Sequence, residues 1–217
     1  MELDQEIYAG NRLHLAARHK KVGILGGTFN PPHNGHIDMA LHIKNEFSLD
    51  ETYLMPCGNP PHKDTDLAPA PMRLAMARMC TEAAAGLGLL DIEMKRTGYT
   101  YTVETMRLLE KKYPQTDFYF IIGADTVFEL CTWYEFRELF RLTRFVCVRR
   151  CNHDMLELTA EISRLKREYG AHVLLSEYTG LYVSSSYIRK QIAQGKNIAG
   201  LVPQSVEEYI VANGLYR

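Results

Sequence analysis

Two histidines three residues apart, His33 and His36, stand in the stretch Gly26-Gly27-Thr28-Phe29-Asn30-Pro31-Pro32-His33-Asn34-Gly35-His36. Imidazole N–H groups suit phosphate oxygens, and paired glycines bring backbone close to a ligand with no Cβ in the way. The apolar run Val22-Gly23-Ile24-Leu25 precedes this stretch, and Ile37-Asp38-Met39-Ala40-Leu41, read as helix, follows it. A strand that enters a helix through a glycine turn offers unpaired N–H groups and partial positive charge to an anion. The combination predicts a seat for nucleotide phosphates. An isolated His-x-x-His is a common surface, capping or metal-site spacing; the glycine turn ahead of it is what points to phosphate.

A second group lies near the other end. Val183-Ser184-Ser185-Ser186-Tyr187-Ile188-Arg189 sets three hydroxyls at a helix start and a guanidinium one turn later. A serine run alone is a helix cap. Arg189 adds a permanent charge whose planar fork matches phosphate.

Alternating patterns supply the elements that must carry these groups. Strands are predicted at 22–25, 51–56, 89–94, 118–122, 145–148 and 172–175, and helices at about 35–47, 72–85, 102–113, 156–169, 185–194 and 205–213. The aromatic and β-branched run Phe118-Tyr119-Phe120-Ile121-Ile122 reads as a central strand covered on both faces. Strands alternating with helices imply an α/β fold, a doubly wound, Rossmann-like parallel sheet with helices on both faces. Ligands in such sheets bind beyond the carboxyl ends of the strands. The glycine-histidine stretch, the loop at 57–71 with His62, Gly123-Ala124-Asp125 and Arg149-Arg150 all follow predicted strands, so they should gather at one edge. At 57–71 the connection is long and polar, as functional loops are. Asp125 is also a candidate N-cap for the helix after it.

Composition bounds the reading. The chain has 217 residues, 46% hydrophobic and 24% charged, with a net charge of -1. That charge gives no basic field for long nucleic acid, while a small phosphorylated ligand needs only a local positive site. The five cysteines form no C-x-x-C pair and read as reduced thiols of a cytoplasmic protein. A zinc site from Cys147, Cys151 and His153 lacks a second ligand pair at a usual distance. No run is long enough to span a membrane, and no apolar core of signal-peptide length opens the chain. We expect an arm over residues 1–20, packed as a short helix or frayed, and one domain over 21–217.

The residues 26–36 match the signature of the H-x-G-H-type nucleotidylyltransferases, with His33-Asn34-Gly35-His36 as the tetrad, and 183–189 resembles that superfamily's second motif. Pro60-Pro61-His62-Lys63, Tyr99-Thr100-Tyr101-Thr102, Ile121-Ile122-Gly123-Ala124-Asp125, Thr132-Trp133-Tyr134 and the ending Asn213-Gly214-Leu215-Tyr216-Arg217 are similar to the bacterial nicotinate-mononucleotide adenylyltransferases. The resemblance runs from about Lys21 to the C-terminus. It implies adenylyl transfer from ATP to nicotinate mononucleotide, giving nicotinate adenine dinucleotide and pyrophosphate in NAD biosynthesis, with Mg2+ bound through the ATP phosphates. It also implies roles. His33, His36 and His62 would be catalytic. Gly26, Gly27, Thr28, Phe29, Gly123, Asp125, Ser184, Ser185, Ser186 and Arg189 would bind ATP. Thr28, Asn30, His62, Lys63, Tyr101, Thr102, Trp133 and Tyr134 would bind the mononucleotide, the aromatics enclosing its ring.

Three departures stand out. Asn30 replaces a usual aspartate, Ser186 replaces a threonine, and Cys151-Asn152 replaces a Pro-Gly turn. Asparagine keeps a carbonyl acceptor but loses the charge. The alternatives are a related transferase acting on nicotinamide mononucleotide or phosphopantetheine, a nucleotide-binding regulator that has lost catalysis, and a metal-dependent hydrolase using the two histidines.

Overall fold

Ile24 and Leu25, adjacent in sequence, face opposite sides of a sheet, and the same alternation runs through every central strand. The computed structural model describes residues 7–8, 19–59, 67–149, 154–181 and 183–217. Among these residues the sheet has seven strands in the order β1-β4-β3-β2-β5-β6-β7. These are β1 (Ile7–Tyr8), β2 (Lys20–Gly27), β3 (Glu51–Pro56), β4 (Leu87–Leu90), β5 (Thr116–Gly123), β6 (Arg144–Val148) and β7 (Val173–Leu175). From β2 to β7 all pairings are parallel; β1 pairs antiparallel with β4. Leu25 lies opposite Leu54 of β3 on one side and Ile121 of β5 on the other.

Among the described residues eight α-helices cover the sheet: α1 (Asn34–Glu46), α2 (Ala70–Glu82), α3 (Thr102–Lys112), α4 (Ala124–Glu129), α5 (Phe136–Leu142), α6 (Met155–Tyr169), α7 (Ser185–Ala193) and α8 (Gln204–Ala212). One face buries Ile24, Phe120 and Phe145 under α3, α5 and α6, through Val103, Met106, Leu139, Phe140 and Leu158. The other buries Leu25, Leu54 and Ile121 under α1, α2, α7 and α8, through Ile43, Met76, Ile188 and Ile210. The doubly wound reading therefore holds, with the order of strands reversing between β2 and β5. That reversal opens a crevice at the carboxyl end of the sheet, where ligands bind in this architecture. No helix among the described residues is long and apolar enough to cross a membrane.

Some details differ from expectation. The apolar run at 89–94 ends its strand at Leu90, because the chain then turns: Met94 N–H donates to Asp91 O at 3.0 Å. Ile92 is buried in that turn, so its apolar character reports burial and not strand. In the arm, Ile7 and Tyr8 form an edge strand on β4 and no helix; the rest of residues 1–18 lies outside the described residues. Helices α4 and α5 fill a stretch, 124–142, too short in each piece for a clear helical period. Asp125 lies inside α4, one residue beyond its start, and the N-cap is Gly123.

Candidate active site

Glycine ends β2 for a reason the sequence alone did not reveal. A Cβ on Gly26 would lie 2.5 Å from the ring of Phe120 in β5, so the first glycine makes room for a protein side chain. Phe120 cannot swing aside readily, since its buried ring packs edge-on against Trp133 at 6.2 Å and Phe145 at 6.3 Å. Gly26→Ala is expected to destabilise the fold by roughly 1–3 kcal/mol, the usual result of overpacking, as read from the denaturation midpoint. Restoring space with Phe120→Leu should recover part of that loss.

Beyond the glycines the chain bends sharply. Phe29 adopts φ +50, a left-handed conformation uncommon for a bulky residue, and buries its ring against His36 at 4.9 Å. Its side chain thereby anchors the turn that carries the histidines into α1. His33 is the N-cap of α1 and is buried; His36, one turn in, stacks on it with ring centroids 3.6 Å apart. The His33 N–H donates to His36 Nδ1 at 3.2 Å. An accepting Nδ1 assigns the His36 proton to Nε2, the tautomer that can donate to a phosphate oxygen. Gly35 fits this arrangement, since a Cβ there would crowd His33 Nδ1 at 3.1 Å.

The second motif is latched onto the first across the sheet. Ser185 Oγ donates to Pro31 O at 2.8 Å, and Arg189 donates to Asn30 O at 2.8 Å and to Ser186 Oγ at 3.3 Å. Ser184 caps α7, accepting from Tyr187 N–H at 3.1 Å. Two segments more than 150 residues apart thus form one polar rim, with helix N-termini of α1 and α7 both opening on it.

Next to this rim is a cavity of about 270 Å³. Gly26, Gly27 and Thr28 form one wall; Tyr101, Thr102, Trp133 and Tyr134 form the facing one. The rings of Tyr101 and Tyr134 lie 4.6 Å apart. Trp133 and Tyr134 precede α5 in a turn whose last residue, Glu135, has φ +50, and Arg107 of α3 ties Glu135 and Glu138 to that helix. Volume and lining suit a flat ring. Met55, Phe120, Val103, Cys57, Thr100 and Glu93 complete the chamber.

Other expected residues sit differently. Asn30 is buried behind the turn, where its Oδ1 accepts from Ala68 N–H at 3.0 Å and from Tyr216 OH at 2.8 Å. Gly123 and Asp125 lie at the end of β5 and the start of α4, outside the cavity lining, with Asp125 exposed. Arg149 is half-buried at the end of β6. His62, Lys63, Arg150 and the Cys151-Asn152 loop lie outside the described residues. Of the zinc candidates, Cys147 is packed in the core of β6, and Cys151 and His153 are not described. Among the described residues no three His, Cys, Asp or Glu side chains stand together to hold a metal.

Three buried charges among the described residues escaped the sequence reading: Arg73, Asp91 and Glu93. Arg73, 2% exposed, donates to four carbonyls: Ala68 O at 3.0 Å, Thr28 O at 2.9 Å, Cys57 O at 2.7 Å and Gly58 O at 2.7 Å. Burial pulls its pKa down from the usual arginine range, while Cys57 and Tyr216 oppose that. Its signal was present: Arg73 falls on the inward stripe of α2 with Met76, Ala77 and Cys80. Asp91, paired with Lys95, and Glu93 are the others, both acids inside the apolar run at 89–94. The Cys57 thiol is pushed up to about 11, first by burial and then by Glu93, so it is no thiolate nucleophile at neutral pH.

The chain is similar to known proteins over nearly its whole length. The cytidylyltransferase-like family model matches residues 24–191. A probable nicotinate-nucleotide adenylyltransferase of Desulfitobacterium hafniense (strain Y51) is 37% identical over 206 residues, 94% of this chain and 100% of that protein. One from Streptococcus pneumoniae serotype 4 is 39% identical over 217 residues, 100% of this chain and 95% of its own. The fold is shared with Plasmodium falciparum nicotinic acid mononucleotide adenylyltransferase complexed with NaAD. That likeness has a TM-score of 0.74 at 19% identity, covering 91% of this chain and 98% of that one. With its two motifs meeting over one crevice, the chain belongs to the cytidylyltransferase-like family and, within it, to the nicotinate-nucleotide adenylyltransferases.

Proposed function

We propose that this protein transfers the adenylyl group of ATP to nicotinate mononucleotide, releasing pyrophosphate. The observation that carries this reading is the adjacency of a ring-sized aromatic cavity and a donor-rich rim, both bounded by the turn after β2. A phosphate oxygen of the mononucleotide attacks the α-phosphorus of ATP, and pyrophosphate leaves. Two polyanions must approach, so the protein's work is alignment and charge neutralisation.

In this reading His36 Nε2–H donates to the α-phosphate as negative charge builds there, and His33 supports its orientation. Ser185, Ser186, Arg189 and the N–H groups opening α7 hold the outer phosphates, with Ser184 keeping that helix start in place. Gly26, Gly27 and Thr28 line the path between the two substrates. Tyr101, Thr102, Trp133 and Tyr134 enclose the ring. Gly123 and Asp125 remain candidates for the ATP ribose, and His62 and Lys63 for the reacting phosphates. Nucleotidyltransferases of this kind use a divalent metal, and the rim presents donors rather than carboxylates. These groups suit a cation that arrives on the nucleotide; Mg2+ held by the ATP phosphates would supply further charge neutralisation there.

Arg189→Ala is expected to raise KM for ATP about 10–100-fold, the worth of one hydrogen bond to a charged group, and to leave KM for the acceptor within about twofold. Unchanged ATP kinetics would remove Arg189 from the phosphate site. The whole reading is tested by mixing the protein with Mg-ATP and a panel of acceptors (nicotinate mononucleotide, nicotinamide mononucleotide, phosphopantetheine) and identifying the product. A higher kcat/KM for the amide than for the acid would overturn the choice of substrate.

A further inference from the structure

Helix α1 carries a polar stripe, Asp38, His42 and Glu46, its members one turn apart on a single face. Each of the three meets the segment that runs from β7 to α7. Glu46 accepts from the Ser176 hydroxyl and from the Glu177 N–H, the latter at 2.9 Å. The His42 ring lies 4.9 Å from the ring of Tyr178, whose hydroxyl donates to Asp38. That hydroxyl also accepts the Leu181 N–H at 3.2 Å, and the Leu181 carbonyl faces Gly35, where a Cβ would stand 3.7 Å from it. The two segments therefore run antiparallel, from Glu46 beside Ser176 to Gly35 beside Leu181. Residues 176–181 form neither helix nor strand, and Gly180 has φ +77. Ordering such a stretch costs backbone entropy, so contacts with α1 must hold it. Tyr178, 8% exposed, plants its ring in the core on this face of the sheet while its hydroxyl reaches α1.

We propose that Tyr178 is a positioning residue for ATP: its hydroxyl, fixed on Asp38, sets where the start of α7 stands relative to His36. The proposal rests on the reading above in which Ser185, Ser186 and Arg189 hold the outer phosphates. At α7 itself, Ser185 and Arg189 donate to the carbonyls of Pro31 and Asn30. That is one anchor, and a helix held at one place can pivot about it. The Tyr178 hydroxyl supplies a second anchor, upstream of α7 and on α1. Both anchors belong to the turn and helix that carry His33 and His36, so the donors of the two motifs are set against each other directly and not through the sheet. A triphosphate that spans both groups is sensitive to a small shift between them. The ring cavity takes none of its lining from α1 or from residues 176–181, so acceptor binding is independent of this tie.

The test is titration calorimetry with Mg-ATP and, separately, with nicotinate mononucleotide, on the wild type and on Tyr178→Phe, which keeps the packed ring and removes the hydroxyl. Kd for Mg-ATP is expected to rise about 5–10-fold, on the scale of one ordinary hydrogen bond, while Kd for the mononucleotide stays within about twofold. Amide exchange in the nucleotide-free protein should quicken at Leu181 and across the first turn of α7. Asp38→Asn keeps an acceptor for the hydroxyl and should bind Mg-ATP within about twofold of wild type. Asp38→Ala should match Tyr178→Phe, and the two combined should weaken binding no more than either alone. An unchanged Kd for Mg-ATP in Tyr178→Phe, or equal weakening toward both ligands, overturns the proposal. Should Tyr178→Phe fail to fold, Asp38→Ala, at an exposed position of α1, decides in its place. Wild-type protein that binds no Mg-ATP removes the phosphate assignment itself; wild-type binding that the variants leave unchanged removes only the role of Tyr178.

Discussion

His36→Ala is expected to lower kcat about 10²–10³-fold, the loss seen when one preorganised transition-state donor is removed. The case rests on geometry. His36 is held from three sides: stacked on His33, edged by Phe29, and fixed in tautomer by the His33 N–H on its Nδ1. In the proposed reaction such a donor would need little reorganisation as charge develops on the α-phosphate. Because the ring is only half-buried at the start of α1, its loss should leave thermal stability nearly unchanged. KM for ATP should rise far less than kcat falls. Single-turnover release of pyrophosphate measures the step directly, and a rate within about threefold of wild type would take His36 out of the chemistry.

Arg73→Met should act mainly on the fold, with activity following. The guanidinium satisfies carbonyls from the turn after β2 (Thr28), from the loop after β3 (Cys57 and Gly58) and from the approach to α2 (Ala68). Methionine fills similar space but strands all four acceptors in a buried place. At about 1 kcal/mol for each stranded group the loss is about 4 kcal/mol. For a protein of this size that corresponds to a fall in Tm of roughly 8–16 °C. Thr28 and Cys57 both line the ring cavity, so KM for the acceptor should rise together with the loss of stability. A Tm within about 2 °C of wild type would show that water replaces the guanidinium, and would remove Arg73 as the tie between these segments.

The alternation of strand and helix was legible because buried parallel strands write continuous apolar runs, as at Phe118–Ile122, and because α1, α3 and α6 are long enough to show a period. The two polar segments that meet at the rim were legible too, since their histidines, serines and arginine fall in short runs of sequence. Polarity hidden inside apolar context was not legible. Arg73 occupies a core position of an amphipathic helix and Glu93 sits in what reads as a strand; each is understood only once its partners from other segments are in view. Asn30 shows the converse. Its place in the first motif suggests contact with substrate, whereas its side chain bonds Ala68 and Tyr216 behind the turn. The glycine before it carries the same lesson, because only the register of β2 against β5 reveals Phe120 at the missing Cβ.

The Tyr216 hydroxyl on Asn30 Oδ1 joins positions 186 residues apart, and it sets an order of events during synthesis. At roughly 5–20 residues per second, a ribosome needs roughly 10–40 s to travel from one to the other. Throughout that interval the nascent polypeptide carries its glycine-histidine bend without the tyrosine that braces it, and for most of the time without the serine and arginine that latch onto it. The bend between β2 and α1 thus gains its full set of partners only after translation has passed both, so the rim is among the last parts of the fold to be completed.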